Sequence, residues 1–349
     1  MAQRIAIIPG DGIGVEVIRE AQRVLERLIA LRCLALELVP FDWGAEKYLR
    51  EGISLPTGAL EMLRQEFAAI LIGALGDPRV PSNQHAVDIL LGIRFGLDLF
   101  VSQRPVRLYD ARLCPLKGRS ERDINLVIFR ENSEGAYVGM GGNLKPGTGD
   151  EVAIQEDMNT RRGVERILVH AFEYAKNHGL KRLCMSDKSN AMPFGHGIWQ
   201  RVFQEVRARY PQAEARHLYI DTLAMELLRD PAQFDVIVTC NMFGDILSDL
   251  GAQLVGGLGI TPSANIHPGR TSMFEPVHGS APDLAGKNRA NPMAAILAAG
   301  MMLEYLGHAG AARDVESAVV EAIRQECTTP DLGGSLGTDE VGEWICSRL

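Results

Sequence analysis

Phe234-Asp-Val-Ile-Val-Thr-Cys-Asn-Met-Phe-Gly-Asp-Ile-Leu-Ser-Asp249 is the stretch on which the reading of this chain turns. Asp235 to Cys240 is an apolar, β-branched run with an acid on one side and Asn-Met-Phe-Gly on the other, which predicts a buried strand. From Gly244 onward Ile246, Leu247, Leu250, Leu254 and Val255 recur on one helical face, so a helix follows. Asp245 and Asp249 are four apart and stack on the same side of that helix. Two carboxylates so placed repel each other unless a cation sits between them. Taken alone, such a pair is more often two solvated acids near a helix start, where the dipole favours them. Its position directly after a buried strand, where α/β folds bind their ligands, tilts the reading toward a divalent metal.

Strand and helix alternate on either side of this stretch. Arg4 to Pro9 reads as a strand, Gly10-Asp-Gly-Ile-Gly14 as a loop, and a helix begins near Val15 with Val17, Ile18, Ala21, Val24, Leu25 and Leu28 on one side. The loop is G-x-G-x-G rather than G-x-G-x-x-G, and no acid closes the next expected strand, Cys33 to Val39. An ordinary dinucleotide fingerprint is therefore disfavoured, and the glycines are expected to allow a close backbone approach. Further strands are expected at Ala69–Gly73, Leu99–Val101, Asn125–Phe129, Leu183–Ser186 and Ala215–Ile220. Helices are expected at Arg161–Lys176, Ile198–Arg209, Asp221–Leu228, Pro292–Leu306, Ala311–Glu326 and Glu340–Leu349, with a short one carrying Leu90, Leu91 and Arg94. Such alternation implies an α/β architecture with a sheet covered by helices. Tyr137 to Met158 is glycine-rich and then alternates, which fits a protruding two-stranded arm that needs a second subunit, or else a surface loop. Thr261 to Asn291, rich in Gly, Pro, Asn and Ser, reads as a ligand loop.

At 349 residues the chain suffices for two domains or two lobes sharing a sheet. Apolar content of 46% and charged content of 23% suit a globular protein with a large core. A formal net charge of -8 argues against nucleic acid or an anionic membrane as the main partner. The six cysteines (Cys33, Cys114, Cys184, Cys240, Cys327, Cys346) show no CxxC spacing and read as small hydrophobes in a reducing compartment. The first residues lead straight into a strand, leaving no room for a signal peptide, and no apolar run reaches membrane-span length. A cytoplasmic location is the expectation.

Three groups of side chains carry candidate chemistry. Asp221, Asp245 and Asp249 are hard oxygen donors suited to Mg²⁺ or Mn²⁺ rather than zinc. Arg94, Arg104 and Arg130 lie at or near the ends of expected elements; three converging guanidinium forks suit a substrate with two carboxylates, although singly each is an ordinary surface arginine. Tyr137 and Lys188 are candidate proton-transfer groups, and Lys188 follows a buried strand, where burial and neighbouring cations would favour the neutral amine a base requires.

Ile8-Pro-Gly-Asp-Gly-Ile-Gly14, Arg130-Glu-Asn-Ser-Glu-Gly135, Asn241-Met-Phe-Gly-Asp-Ile-Leu-Ser-Asp-Leu250 and Phe274-Glu-Pro-Val-His-Gly-Ser-Ala-Pro-Asp283 together resemble the isocitrate/isopropylmalate dehydrogenase family, metal-dependent β-decarboxylating dehydrogenases. The resemblance runs from Arg4 to the C-terminal helices, and its last two motifs are long and specific. It implies two α/β domains sharing a large mixed sheet, a twelve-strand core, with a cleft between them. The cofactor-binding domain would be 1–98 plus 255–349, and the substrate and dimerisation domain 99–254, with the arm at about 137–158. It further implies a homodimer with shared active sites. Asp245 and Asp249 of one subunit and Asp221 of the other would hold the metal, Asp221 also lining the substrate. Arg94, Arg104 and Arg130 would grip the malate carboxylates. Tyr137 would be the general acid and Lys188, from the other subunit, the general base. His278, Gly279, Ser280, Ala281, Pro282 and Asp283, with Asn291 and Ile13, would bind the cofactor.

Asp283 points to NAD, because a carboxylate accepts hydrogen bonds from ribose hydroxyls and repels a 2′-phosphate, whereas NADP-specific relatives carry lysine and then tyrosine here. Leu90 and Leu91, four and three residues before Arg94, lie on its helical face and would welcome an alkyl group, unless they are simply core. That favours 3-isopropylmalate, converted to 2-oxoisocaproate in leucine biosynthesis, since burying the isopropyl group contributes roughly 1.5–3 kcal/mol. It disfavours isocitrate and homoisocitrate. Against it, Arg130–Gly135 and Glu151–Gln155 look as much like tartrate or D-malate dehydrogenases, Val87 replaces an acid many isopropylmalate enzymes carry, and Arg289 is unusual. A non-enzymatic dicarboxylate-binding protein would need the arginines but neither Lys188 nor the three aspartates.

Overall fold

The computed structural model describes residues 2–349. Two compact units emerge. Unit 1 takes the chain up to Leu99, Arg107–Arg122 and Ala252–Leu349; unit 2 takes Phe100–Val106 and Asp123–Gly251. The excursion of Arg107–Arg122 into unit 1 is marked by no composition shift in the sequence.

In chain order, β1 (Gln3–Ile8) is followed by α1 (Ile13–Arg32), β2 (Leu36–Pro40), α2 (Ala45–Glu51), α3 (Ala59–Glu66) and β3 (Ala69–Ile72). Then α4 (Gln84–Ala86) passes through a π-helical stretch, Val87–Leu91, into α5 (Gly92–Gly96). The next elements are β4 (Val101–Arg107), β5 (Asn125–Glu131), the arm strands β6 (Gly141–Leu144) and β7 (Val152–Gln155), and α6 (Arg161–Asn177). They are followed by β8 (Arg182–Asp187), α7 (Gly197–Arg207), β9 (Glu214–Tyr219), α8 (Ile220–Arg229), β10 (Val236–Thr239) and α9 (Asn241–Val255). The chain ends with β11 (Pro262–Ile266), β12 (Ser272–Pro276), α10 (Met293–Tyr305), α11 (Ala309–Arg324) and α12 (Thr338–Cys346).

The strands of unit 1 run in the order β2-β1-β3-β12-β11. All neighbours are parallel except the antiparallel β11/β12 pair, which makes this a mixed sheet. Unit 2 orders its strands β4-β5-β10-β8-β9, with β5/β10, β10/β8 and β8/β9 parallel. The α/β expectation therefore holds, but the count of core strands does not. Ten strands are core rather than the expected twelve, and the other two form the separate β6/β7 hairpin. β1, β3 and β10 are apolar on both sides because helices cover both faces of parallel strands. Each fully buried Val or Ile of β10 contributes about 1.5–3 kcal/mol.

Three local expectations change. The run from Cys33 begins not a strand but the end of α1: Cys33 sits in the left-handed region at φ 51, its N–H donating to Ile29, and the strand starts only at Leu36. Thr261–Asn291 is not one loop, because it contains β11 and β12. Several polar residues of these strands and their turn are buried and hydrogen-bonded, Asn265 donating to Glu275 at 2.7 Å and Thr271 to the Phe67 carbonyl at 2.6 Å. Sheet pairing can thus bury a composition that reads as loop. The helix near Val15 starts two residues earlier, at Ile13.

All six cysteines are free. Burial pushes the Cys184 and Cys240 thiols up to about 12, so these two behave as small hydrophobes; Cys33 is exposed and does not. Among the described residues no helix is long and apolar enough to cross a membrane. The β6/β7 arm is exposed throughout a single chain, with Leu144 at 63% and Ile154 at 57% of full exposure.

Candidate active site

In unit 2 the strand β10 passes into α9 almost without a loop, Thr239 ending one and Asn241 starting the other. Asn241, Asp245 and Asp249 therefore follow at helical spacing along one stripe. Gly244 lets β5 lie against this helix, since a Cβ there would fall 2.5 Å from Arg130 Cβ. Arg130, 2% exposed in β5, donates from Nε to Asn241 Oδ1 at 2.8 Å and ion-pairs with Asp245. Arg104, in β4, donates to Ser248 Oγ at 3.0 Å and stands 3.7 Å from both Asp245 and Asp249. Within one chain the cation between the two acids is thus the Arg104 guanidinium. Tyr137 donates its hydroxyl to Asp245 Oδ2 at 3.2 Å, and its ring lies 5.4 Å from the Arg130 guanidinium carbon. Burial, then the charge of Asp245, pushes the Tyr137 hydroxyl up, so it stays protonated and able to donate. Burial also pushes the Asp249 carboxyl up, against Arg104 and with Asp245. The strip is hence rich in oxygen donors that gain from an added positive charge.

Lys188 follows β8 and pairs through Nζ with Asp221 Oδ1 at 2.8 Å. Its neighbour is an anion, not the cation expected from sequence, because α8 starts beside the end of β8 and presents Asp221 there. The Lys188 hydrogen bond holds the Asp221 carboxyl below the usual range. Among the described residues no three His, Cys, Asp or Glu side chains of one chain gather in a form able to hold a metal. Asp221 stands with Lys188.

Unit 1 carries the other predicted residues. Arg94 is 5% exposed in α5. Leu90 packs on the core cluster that includes Ile70, Ile72, Ile89 and Ile93, whereas Leu91 lies outside that cluster and is half-buried. Both leucines lie in the π-helical stretch that precedes α5, so the simple four-and-three spacing to Arg94 that placed them on one face does not apply. The glycine loop meets protein backbone: a Cβ on Gly12 would fall 2.1 Å from the Ser280 carbonyl oxygen, and one on Gly10 2.2 Å from that of Ala74. Ile13 N–H then donates to Ser280 at 2.8 Å, tying it to the segment His278–Asp283. There Asp283 is exposed, Asn291 donates to Asp331 at 3.0 Å, and His278 Nδ1 donates to the Gly279 carbonyl at 3.0 Å. His278 Nε2 is left as a buried acceptor with no partner, and burial holds this imidazole below its ordinary pKa, hence neutral. A cavity of about 380 Å³ opens beside the loop, lined by Gly10, Gly12, Val15, Gly76, Pro282 and Ala285 among others.

Asn241 and Ser248 escaped the reading of the sequence. Asn241 lies four residues before Asp245, so the same spacing rule that paired the acids also marks it; Ser248 carries no comparable signal.

The family model for isocitrate/isopropylmalate dehydrogenase matches residues 4–345. A 3-isopropylmalate dehydrogenase from Thermobifida fusca is 43% identical, the alignment covering 99% of this chain and 97% of that protein. A tartrate dehydrogenase/decarboxylase from Pseudomonas putida is also 43% identical, over 99% of this chain and 97% of its own. Among solved structures, an isocitrate dehydrogenase from Methylococcus capsulatus superposes with a TM-score of 0.89 at 35% identity, covering 99% of both chains. The chain belongs to the isocitrate/isopropylmalate dehydrogenase family.

Proposed function

We propose that this protein catalyses the NAD-dependent oxidative decarboxylation of a 3-substituted malate, with 3-isopropylmalate as substrate and 2-oxoisocaproate as product, in leucine biosynthesis. The observation that carries the proposal is the α9 strip, where Asp245 and Asp249 meet Arg104, Arg130 and the Tyr137 hydroxyl. Binding proteins need arginines for a dicarboxylate, but not a phenol hydrogen-bonded to one of two stacked acids.

The donor set fits a hard divalent cation, Mg²⁺ or Mn²⁺: Asp245 and Asp249 from one subunit, with Asp221 of the partner subunit as third carboxylate. The segment His278–Asp283 fits NAD: the orphaned His278 Nε2 is an acceptor waiting for a donor, and exposed Asp283 is an acceptor for ribose hydroxyls that disfavours a 2′-phosphate. When bound, NAD supplies the hydride acceptor, and the cation the Lewis acidity that favours alcohol deprotonation and loss of CO₂. Arg94, Arg104 and Arg130 hold the two substrate carboxylates by paired N–H donors. Lys188 takes the proton of the C2 hydroxyl on its Nζ, acting as the free amine, and Asp221 steers that nitrogen. Tyr137 returns a proton to carbon after CO₂ has left; its raised pKa suits a donor rather than a base. The exposed β6/β7 arm suits a homodimer, in which each site draws Lys188 and Asp221 from the partner. The location proposed is the cytoplasm.

The equal identity to a tartrate dehydrogenase/decarboxylase, together with partly buried Leu90 packing against the core cluster, favours a second reading: tartrate or D-malate as substrate of the same chemistry. NADH formation at 340 nm with Mg²⁺ or Mn²⁺, measured with 3-isopropylmalate, D-malate, tartrate and isocitrate, separates these. No turnover of any of them by folded dimer defeats the enzyme reading. Preference for D-malate or tartrate defeats only the substrate.

A further inference from the structure

Nothing in the chemistry above uses His196, yet it is 1% exposed and touches the backbone of the residue assigned as base. The Lys188 N–H donates to His196 Nδ1 at 2.9 Å. An imidazole nitrogen that accepts carries no proton, so the ring proton must be on Nε2. That nitrogen faces Asp157 Oδ2 at 3.4 Å. Asp157 is itself held, Asn159 Nδ2 donating to the same oxygen at 2.9 Å, while Asn159 Oδ1 accepts from the buried indole of Trp199 at 2.8 Å. The His196 hydrogen bond, outweighing burial, keeps the Asp157 carboxyl below the usual range and hence anionic, the state that aligns Nε2–H. On its other side the imidazole meets the Phe243 ring, with centroids 5.2 Å apart. The backbone closes the same loop: the Lys188 carbonyl accepts from Ala191 and Met192 at 3.0 and 2.8 Å, and the Met192 carbonyl accepts from His196 N–H at 3.0 Å.

We propose that His196, oriented by Asp157, is a positioning residue that fixes the backbone at Lys188 and thereby the aim of its Nζ. Lys188 is then gripped at two points, its backbone N–H by His196 and its Nζ by Asp221. The side chain between them has four rotatable bonds, so an anchored root matters: a base misplaced by about 1 Å loses on the order of 10²-fold in rate. Asp157 lies two residues beyond the end of β7, so the same chain of hydrogen bonds ties the root of the arm to the base. The effect on turnover rests on Lys188 being the base proposed above.

Two variants separate the acceptor from the bulk of the ring. His196→Leu removes Nδ1, whereas His196→Asn places an Oδ1 near the position of Nδ1 and can still accept from Lys188 N–H. In the homodimer with cation, NAD and the best substrate of the panel, His196→Leu should lower kcat about 10- to 100-fold with KM changed less than about twofold, and His196→Asn should recover to within about threefold of the parent. A second readout needs no substrate: the relative rate at which acetic anhydride modifies Lys188, followed by mass spectrometry against the other lysines. It should change at least about threefold in His196→Leu and little in His196→Asn. If the parent turns over nothing, the proposed function falls, and the labelling alone decides the positioning role. Parent-like kcat and labelling in His196→Leu overturn the inference, as does equal impairment of the two variants. Should His196→Leu fail to fold by circular dichroism, Asp157→Ala, which leaves the ring present but unaligned, is taken through both measurements; parent-like values in it overturn the inference equally.

Discussion

Gly12→Ala tests what the glycine loop is for. Gly12 has φ 56 and ψ -127, a conformation in which a side chain is strained by about 1–3 kcal/mol. Its Cβ would lie 2.1 Å from the Ser280 carbonyl oxygen, a backbone atom that cannot swing aside as a side chain would. The segment must retreat, and the Ile13 N–H bond to Ser280 at 2.8 Å is lost with it, at a cost of about 0.5–1.5 kcal/mol. The sum is about 1.5–4.5 kcal/mol of folding stability, or roughly 3–18 °C in the unfolding temperature of a unit near 200 residues. Gly52→Ala is the control: Gly52 has φ 70 but nothing within 4 Å of the added Cβ, so only the left-handed penalty of about 1–2 kcal/mol applies. Calorimetric unfolding of both variants, with NAD binding followed by titration calorimetry, distinguishes the two roles a glycine loop can have. If the loop docks protein on protein, Gly12→Ala is the less stable variant by 1 kcal/mol or more, and NAD affinity drops because His278–Asp283 has moved. If the glycines instead admit a pyrophosphate, Gly12→Ala loses affinity while unfolding like Gly52→Ala. That second outcome refutes the docking argument.

Asp245→Asn should abolish cation-dependent turnover while circular dichroism and unfolding stay near the parent's, because the side chain keeps its shape and Arg130 keeps Asn241 as a partner; retained activity would remove Asp245 from the cation site. Leu90→Ala should lower stability by about 1–3 kcal/mol with little change in KM, since Leu90 packs on the core, while Leu91→Ala should raise KM for 3-isopropylmalate at nearly unchanged stability; urea unfolding and steady-state kinetics on both report this, and the reverse pattern would return Leu90 to the substrate. Burial pushes the Asp235 carboxyl up, but hydrogen bonds from the Arg182 side chain and from the Arg182 and Lys181 backbone outweigh it and hold the group below the usual range. A depressed folded pKa stabilises above the unfolded value near ~3.9 and is lost as pH falls through the folded one, so the gap in unfolding temperature between parent and Asp235→Asn should be constant near neutrality and shrink below about pH 4; a gap that widens in acid contradicts the assignment.

Local sequence determined most of the fold and the types of residue at the site. A short apolar β-branched run such as Val236–Val238, flanked by polar residues, reads as a buried strand, and Asp245 and Asp249 stack by helical geometry whatever surrounds them. Long, specific motifs around them carried the family. What escaped was everything that depends on a partner distant along the chain. Thr261–Asn291 looks like loop because Pro, Ser and Asn are poor strand formers, yet pairing between β11 and β12 and with β3 puts Pro262–Ile266 and Ser272–Pro276 into the sheet and largely buries them. The cation between the two acids is Arg104, more than a hundred residues earlier, and only the meeting of β4 and α9 brings it within 3.7 Å of each. Lys188 acquired an anion in place of the expected cation for the same reason, Asp221 being delivered by a different strand and helix. Leu90 and Leu91 both lie in a π-helical stretch, invisible to a 3.6-residue count, so their facing relative to Arg94 could not be read from spacing. Periodicity reports which face a residue occupies; which charge waits opposite that face is settled by the tertiary fold, because electrostatic and hydrogen-bond partners are chosen by proximity in space and not by distance along the chain.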